Sequence, residues 1–304
     1  MKNDKPKVIV IVGPTASGKT ATSIRVAKEL NGEIISADSI QIYKDMNIGT
    51  AKPTFEEMDG IKHYLIDVVS PDEEFNVAKY KDMAETAIEE ILAKEKVPIV
   101  VGGTGLYVNT LVDAIEFADI GEDIEYRNEM LKRAKAEGAK VIHDELASID
   151  KDAANSIDVN NVRRVIRALE IYKLTGKTKT ELDMESRKEV KYDYKMYGVD
   201  WPRDVLYERI EKRVDIMLDD GLVDEVKSLM EKYEFSKTAI QGLGYKEVVE
   251  FLNGVISYDE MVQKLKMETR RYAKRQLTWF RRDKRICWCN VDEIAEKIIR
   301  EFSE

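Results

Sequence analysis

The 304-residue chain holds only two cysteines, two histidines and six prolines, and no apolar run long enough to span a bilayer as a helix. Cys287 and Cys289, with His63 and His143, are too few for a disulfide framework or a four-ligand zinc site. The fold must therefore rest on burial, which a chain of this length can supply without covalent support. The stretch Met1-Lys2-Asn3-Asp4-Lys5-Pro6 is followed by only seven apolar or glycine residues before a polar loop. That pattern has no signal-peptide cleavage features, so a cytoplasmic protein with no membrane contact is expected. Cys287 and Cys289 flank Trp288 at strand spacing, and two buried, reduced thiols on one strand face are expected there.

Charge is plentiful but uneven. A net charge of −9 argues against a nucleic-acid partner. Yet the stretch from Lys264 to Arg285 carries ten basic and two acidic residues, a local +8 that leaves −17 on the rest of the chain. A basic stripe on an acidic body is the footprint of a polyanion site.

The apolar run Val8-Ile9-Val10-Ile11-Val12 leads into Gly13-Pro14-Thr15-Ala16-Ser17-Gly18-Lys19-Thr20, which fits G-x-x-x-x-G-K-[ST] in its required strand-then-helix setting. Such a loop turns successive N–H groups toward an anion at a helix N-terminus. Lys19 adds a full charge, and the Thr20 hydroxyl suits Mg²⁺.

Strands at Val8–Val12, Glu33–Ser36, His63–Asp67 and Val97–Val101 alternate with helices at Gly18–Leu30 and Val77–Lys96, which predicts a parallel sheet covered by helices. Residues 115–191 change to charged helical periodicity without a strand run and read as an inserted all-helical subdomain. Strand signals return at Lys195–Val199 and Arg285–Cys289. The expected organisation is a P-loop α/β core of 1–114 and 192–304 with a helical insertion of 115–191.

In an open α/β sheet the ligand lies at the carboxyl ends of the strands. Asp38 follows a short strand in Ser36-Ala37-Asp38-Ser39-Ile40-Gln41, and Gly102-Gly103-Thr104-Gly105 follows another. Val97–Val101 ends in glycines, where a P-loop hydrolase places a magnesium-binding carboxylate. Two readings of Asp38 stand: a general acid or base across the crevice from the P-loop, or the cap of a turn.

On a wheel of about 100° per residue, Leu265, Thr269, Tyr272, Ala273, Leu277 and Phe280 fall within an arc of roughly 140°. Arg270, Arg271, Lys274, Arg275, Arg281 and Arg282 occupy the other side, so one face packs and the other meets phosphate or is a solvated face. Arg163 and Arg167 lie one turn apart in Arg163-Arg164-Val165-Ile166-Arg167-Ala168-Leu169-Glu170, where Arg167 could equally pair with Glu170.

Six motifs in order resemble the bacterial tRNA dimethylallyltransferase family, also called isopentenyl-diphosphate:tRNA transferases. They are Gly13 to Thr20, Asp38 to Gln41, Gly102 to Tyr107, Arg163 to Glu170, Gln241-Gly242-Leu243-Gly244-Tyr245-Lys246, and Lys274-Arg275-Gln276-Leu277-Thr278-Trp279-Phe280-Arg281. Asn47 to Pro53 is similar to the family's segment after the second motif. The resemblance implies transfer of a dimethylallyl group, with Mg²⁺ at Thr20, from dimethylallyl diphosphate to N6 of the adenosine immediately 3′ of the anticodon in tRNA. It assigns the base to Asp38 and the diphosphate to the P-loop, and it has Thr15 and Thr104 orient substrate and diphosphate, respectively or jointly. It implies contacts to the anticodon stem-loop from Asp38, Ser39, Ile40, Gln41, Thr104, Arg127, Arg163, Arg164 and Arg167. Further contacts are implied at Gln241, Gly244, Tyr245, Lys246, Lys274, Arg275, Gln276, Thr278, Trp279 and Arg281. Many relatives carry arginine where this chain has Lys246, which replaces a planar bidentate donor by a point charge. A small-molecule kinase, a prenyltransferase of free adenine nucleotides and a non-catalytic RNA-binding module are the competing readings. A monomer is the default expectation.

Overall fold

The computed structural model describes residues 5–116 and 120–303; residues 1–4, part of the N-terminal stretch read above, lie outside them. The chain divides into two compact units, Met1–Val112 with Val190–Glu304, and Asp113–Glu189.

Among the described residues the first unit is built on six strands: β1 (Lys7–Val12), β2 (Gly32–Ser36), β3 (His63–Tyr64), β4 (Val97–Gly102), β5 (Asp193–Asp200) and β6 (Cys287–Asn290). All pair in parallel in the order β3-β2-β4-β1-β5-β6. Val8 to Val12 are fully buried on both faces, which is why β1 reads as an unbroken apolar run at the sheet centre. The third strand is shorter than the expected His63–Asp67, because Leu65 and Asp67 both turn to positive φ and leave the ladder.

Early in the chain this unit carries α1 (Lys19–Glu29), α2 (Phe55–Met58), α3 (Val77–Ala93) and α4 (Gly105–Val112). The second unit holds α5 (Ile124–Glu137), α6 (Ala139–Ile149), α7 (Lys151–Ser156), α8 (Val162–Thr175) and α9 (Lys179–Glu185) around its own core, which includes Met130, Ile142, Leu146, Val165 and Leu169. The chain then returns to the first unit with α10 (Arg203–Asp219), α11 (Leu222–Lys232), α12 (Tyr245–Leu252), α13 (Tyr258–Phe280) and α14 (Val291–Ser303). The sheet separates two apolar layers, one centred on α3, α4 and the later helices, the other on α1 and α14. Among the described residues no helix is long and apolar enough to cross a membrane. The two thiols are free, but β6 is a sheet edge, so Cys287 and Cys289 are half-buried where burial was expected.

One polar group is locked into the core side of β2. Glu33 is 4% exposed, and its carboxylate accepts from Lys96 at 2.8 Å and from Lys94 and Tyr64 at 2.9 Å each. Burial pushes its pKa up, but the three donors outweigh burial and hold it at about 2. A depressed carboxylate stabilises the fold above its unfolded pKa and loses that contribution as pH falls through the folded value. Both lysines reach solvent, which screens the interaction, so ~2 kcal/mol should disappear between about pH 4.5 and pH 2. Urea unfolding across that range checks this, with Glu33→Gln expected to remove the increment.

Candidate active site

The loop after β1 is gripped from three directions. Lys19 Nζ donates to the Pro14 carbonyl at 2.6 Å, inside the loop. Trp201 Nε1 donates to the Ser17 carbonyl at 2.8 Å, and Arg209 Nε to the Ala16 carbonyl at 2.9 Å. Arg209 also stacks over the Trp201 ring at 4.6 Å, so each orients the other. From α13, Gln276 Oε1 accepts the Thr15 N–H at 2.9 Å. Gly18 has φ +91° at the N-terminus of α1, and a Cβ there would meet Val291 at 3.2 Å. Position 18 thus needs glycine both for its backbone and for the packing of α14.

Facing the loop, the ends of β2 and β4 are tied together. Thr104 N–H donates to the Ala37 carbonyl at 3.1 Å, and a Cβ on Gly102 would lie 2.1 Å from that carbonyl oxygen. Thr104 Oγ1 accepts the Ser39 N–H at 3.1 Å. The Thr104 hydroxyl therefore holds the turn that carries Asp38, and Thr104 is in the wall of neither cavity described below. The turn-cap reading of Asp38 is realised. Its Oδ1 accepts from the N–H groups of Ile40 at 2.9 Å and Gln41 at 3.2 Å, as a turn cap does, while Asp38 also borders the cavities.

Two cavities meet at this point. A polar one of about 90 Å³ is walled by Lys19, Thr20, Ser36, Asp38 and Arg213. An apolar one of about 300 Å³ is walled by Ile40, Ile210, Val214, Met217, Leu243 and Leu265. Thr15, Asp38, Thr50, Arg213 and Tyr272 border both. Burial pushes Lys19 down to about 7, helped by the positive Arg213 and opposed by the Asp38 carboxylate. Burial likewise lowers Arg213, with Asp38 opposing. Two desolvated cations beside one carboxylate leave a net positive charge suited to an anion. Arg213 was not among the residues singled out in the sequence. Its signal was there: it lies three residues after Ile210 and next to Val214, a charge on the apolar stripe of α10.

The loop roofing the cavities is fixed by α11. Glu225 accepts from Asn47, Ile48 and Gly49 N–H at 3.0, 2.7 and 3.2 Å, and from Tyr245 OH at 2.7 Å. A Cβ on Gly49 would come 2.6 Å from the Tyr245 ring. Tyr245 is 0% exposed, so this expected RNA contact is a core residue under the loop. Gly244, with φ +95°, is buried as the start of α12, whereas Gln241 and Lys246 are exposed. Gln41 is half-buried on the wall of the polar cavity, where its Nε2 donates to the Thr50 and Ala51 carbonyls at 3.2 and 3.3 Å.

In the second unit Arg127 grips Glu170 with Nε at 2.8 Å and Nη2 at 2.9 Å, and Arg167 pairs with the same carboxylate. Glu170 is 0% exposed, so both guanidiniums neutralise a buried charge and the internal-pair reading of Arg167 prevails. Arg127 and Arg167 stay partly exposed while committed to Glu170. Arg163 and Arg164 are exposed on the first turn of α8.

On α13 the wheel is largely realised. Thr269, Leu265, Ala273 and Phe280 are buried, while Arg271, Lys274, Arg275 and Thr278 are exposed; Arg281 and Arg282 follow, also exposed. Arg270 departs from the expected outer face by pairing with Glu211 on α10, and Arg281 pairs with Asp200 at 3.0 Å. Trp279 packs on Gly105 and donates to Asn109 at 3.2 Å, so only part of its ring is accessible. Gln276 is 5% exposed, which corrects its reading as an RNA contact. Its position four residues after Tyr272 and four before Phe280 placed it on the packed arc all along.

The chain as a whole has counterparts among known proteins. The model of the IPP transferase family matches residues 41–283. A tRNA dimethylallyltransferase of Acetivibrio thermocellus is 54% identical over 299 residues, covering 97% of this chain and 96% of that protein. One from Halalkalibacterium halodurans is 48% identical over 291 residues, covering 95% and 93%. The crystal structure of the full-length tRNA isopentenylpyrophosphate transferase from Bacillus halodurans superposes with a TM-score of 0.73 at 45% identity, covering 98% of this chain and 96% of that one. A eukaryotic dimethylallyltransferase acting on tRNA gives a TM-score of 0.75 at 35% identity, covering 90% and 70%. With most of its length matched in sequence and in fold, the chain belongs to the IPP transferase family.

Proposed function

We propose that this protein transfers a dimethylallyl group from dimethylallyl diphosphate to N6 of the adenosine immediately 3′ of the anticodon in tRNA, releasing diphosphate. The observation that carries this reading is the meeting of the polar and apolar cavities at Asp38. The diphosphate lies in the P-loop cavity against Lys19 and Arg213, and the five-carbon tail lies toward the apolar chamber. As the allylic C–O bond breaks, its electron pair leaves with the diphosphate, and the two cations meet that charge where it develops. The N6 lone pair forms the new C–N bond. N6 is a weak nucleophile because its lone pair is conjugated with the ring, so its proton must leave, and Asp38 accepts it. The target base leaves the anticodon-loop stack to reach the chamber, which single-stranded loop RNA permits at low cost.

Among the described residues no cluster of three or more His, Cys, Asp or Glu forms a protein-only metal cage. The Thr20 hydroxyl on the P-loop cavity suits Mg²⁺, which binds through few protein ligands and substrate phosphates. Bound there, Mg²⁺ would neutralise part of the diphosphate charge.

The RNA would lie on the exposed cations Lys274, Arg275 and Arg282 of the first unit. A cytoplasmic monomer accords with this reading. Mass spectrometry of nucleosides from undermodified tRNA, incubated with protein, dimethylallyl diphosphate and Mg²⁺, tests it. A dimethylallyl mass gain on adenosine of tRNA is expected. Gain on free AMP alone would make the protein a nucleotide prenyltransferase, and ATP turnover without either would make it a kinase.

A further inference from the structure

Gln276 lies on the cationic helix, yet its carboxamide points inward and bridges two elements. Oε1 accepts the Thr15 N–H at 2.9 Å, and Nε2 donates to the Gly103 carbonyl at 3.0 Å. The amide orientation follows from the partners, since the Thr15 N–H needs an acceptor and the Gly103 carbonyl needs a donor. Glutamate would supply no donor and lysine no acceptor, so the site calls for an amide. The fit to β4 is close: a Cβ on Gly103 would come 2.1 Å from Nε2.

We propose that Gln276 is a positioning residue for the diphosphate cradle, fastening the P-loop at Thr15 to the end of β4, and does not contact RNA. The inference rests on the P-loop holding the prenyl diphosphate. Thr15 borders both cavities, so its backbone sets where the hydroxyl at their junction stands. Arg209 and Trp201 hold the next two carbonyls, of Ala16 and Ser17. Gln276 thus completes a clamp on three successive loop residues, and it supplies the only part of that clamp mounted on α13. The same turn of the helix presents Lys274 and Arg275 outward. One face of the turn is available to RNA phosphates while the other holds the donor's cradle.

The test uses the full-length protein with two substitutions. Gln276→Met keeps the side-chain length and removes both hydrogen bonds. Gly103→Ala displaces the amide without changing it. Steady-state kinetics give the KM for dimethylallyl diphosphate at saturating tRNA, and fluorescence anisotropy gives the tRNA Kd between about 50 and 200 mM salt. We expect the donor KM to rise about tenfold in both variants, the size set by leaving a buried donor and acceptor unpaired. The tRNA Kd and its salt slope should stay within about twofold of wild type, and the double variant should be no worse than the weaker single one. A tRNA Kd raised about tenfold with an unchanged donor KM would make Gln276 an RNA contact and overturn the inference. So would wild-type donor KM in Gly103→Ala, which also carries the test if Gln276→Met does not fold. Wild-type protein unable to use dimethylallyl diphosphate would instead remove the reading of the cavity, and the two failures are distinct.

Discussion

Asp38→Asn is expected to lower kcat for prenyl transfer by about 10³-fold while tRNA affinity stays within about twofold, the range for loss of a positioned proton acceptor. Asparagine is the informative replacement because its Oδ1 can still accept the Ile40 and Gln41 N–H groups that Asp38 Oδ1 holds. The turn and its Thr104 tether then survive, and only the acceptor at the cavity junction is lost. The same substitution has a second consequence. The Asp38 carboxylate supports the charge on Lys19 against burial and Arg213. Without it, Lys19 should deprotonate at lower pH, so the donor KM should rise more at pH 8 than at pH 6. Single-turnover rates on preformed tRNA complexes isolate the chemical step. A variant with wild-type single-turnover rates would remove Asp38 from the role of base.

Lys19→Met should lower kcat/KM for dimethylallyl diphosphate by about 10²-fold or more near pH 6.5, comparable to removing one preorganised donor from a developing anion. The pH dependence carries further information. Lys19 in the free protein is held at about 7, so below that value it carries its charge and above it becomes neutral. The diphosphate favours the charged form, and kcat/KM reports groups of the free enzyme. Wild-type kcat/KM for the donor should therefore fall as pH rises through about 7, with a limiting slope of about tenfold per unit. Lys19→Met should lose that slope. Calorimetry in buffers of different ionisation enthalpy should register proton uptake on donor binding near pH 7.5. A flat profile in the wild type would mean that Lys19 stays charged in the free site.

The two basic segments show where sequence reading stops. In Lys264 to Arg285 the wheel separates packed from exposed positions, and the exposed Lys274, Arg275 and Arg282 agree with it. The wheel assigns Arg270 outward, but it has no knowledge of α10, whose Glu211 lies alongside. In Arg163 to Glu170 the three-residue spacing raised the pair of Arg167 with Glu170, but not the second guanidinium, Arg127, which lies 43 residues earlier in the chain. Tyr245, in a glycine-rich turn, resembles an exposed stacking ring until Gly49 and Glu225 close over it.

What the sequence determined by itself is local. The β1 run, the P-loop and α1 follow from burial on both sheet faces and from N–H groups freed at a helix start, interactions between residues a few positions apart. The alternation of strands and helices and the packed arc of α13 are periodicities of the same short range. Tertiary structure alone decided the partners. Thr15 and Gln276 are 261 residues apart, Trp201 meets Ser17 across 184, and Arg213 reaches the cavity from a helix that follows the second unit. A polar side chain's role depends on which group the fold brings within hydrogen-bond reach, and spacing along the chain does not encode that.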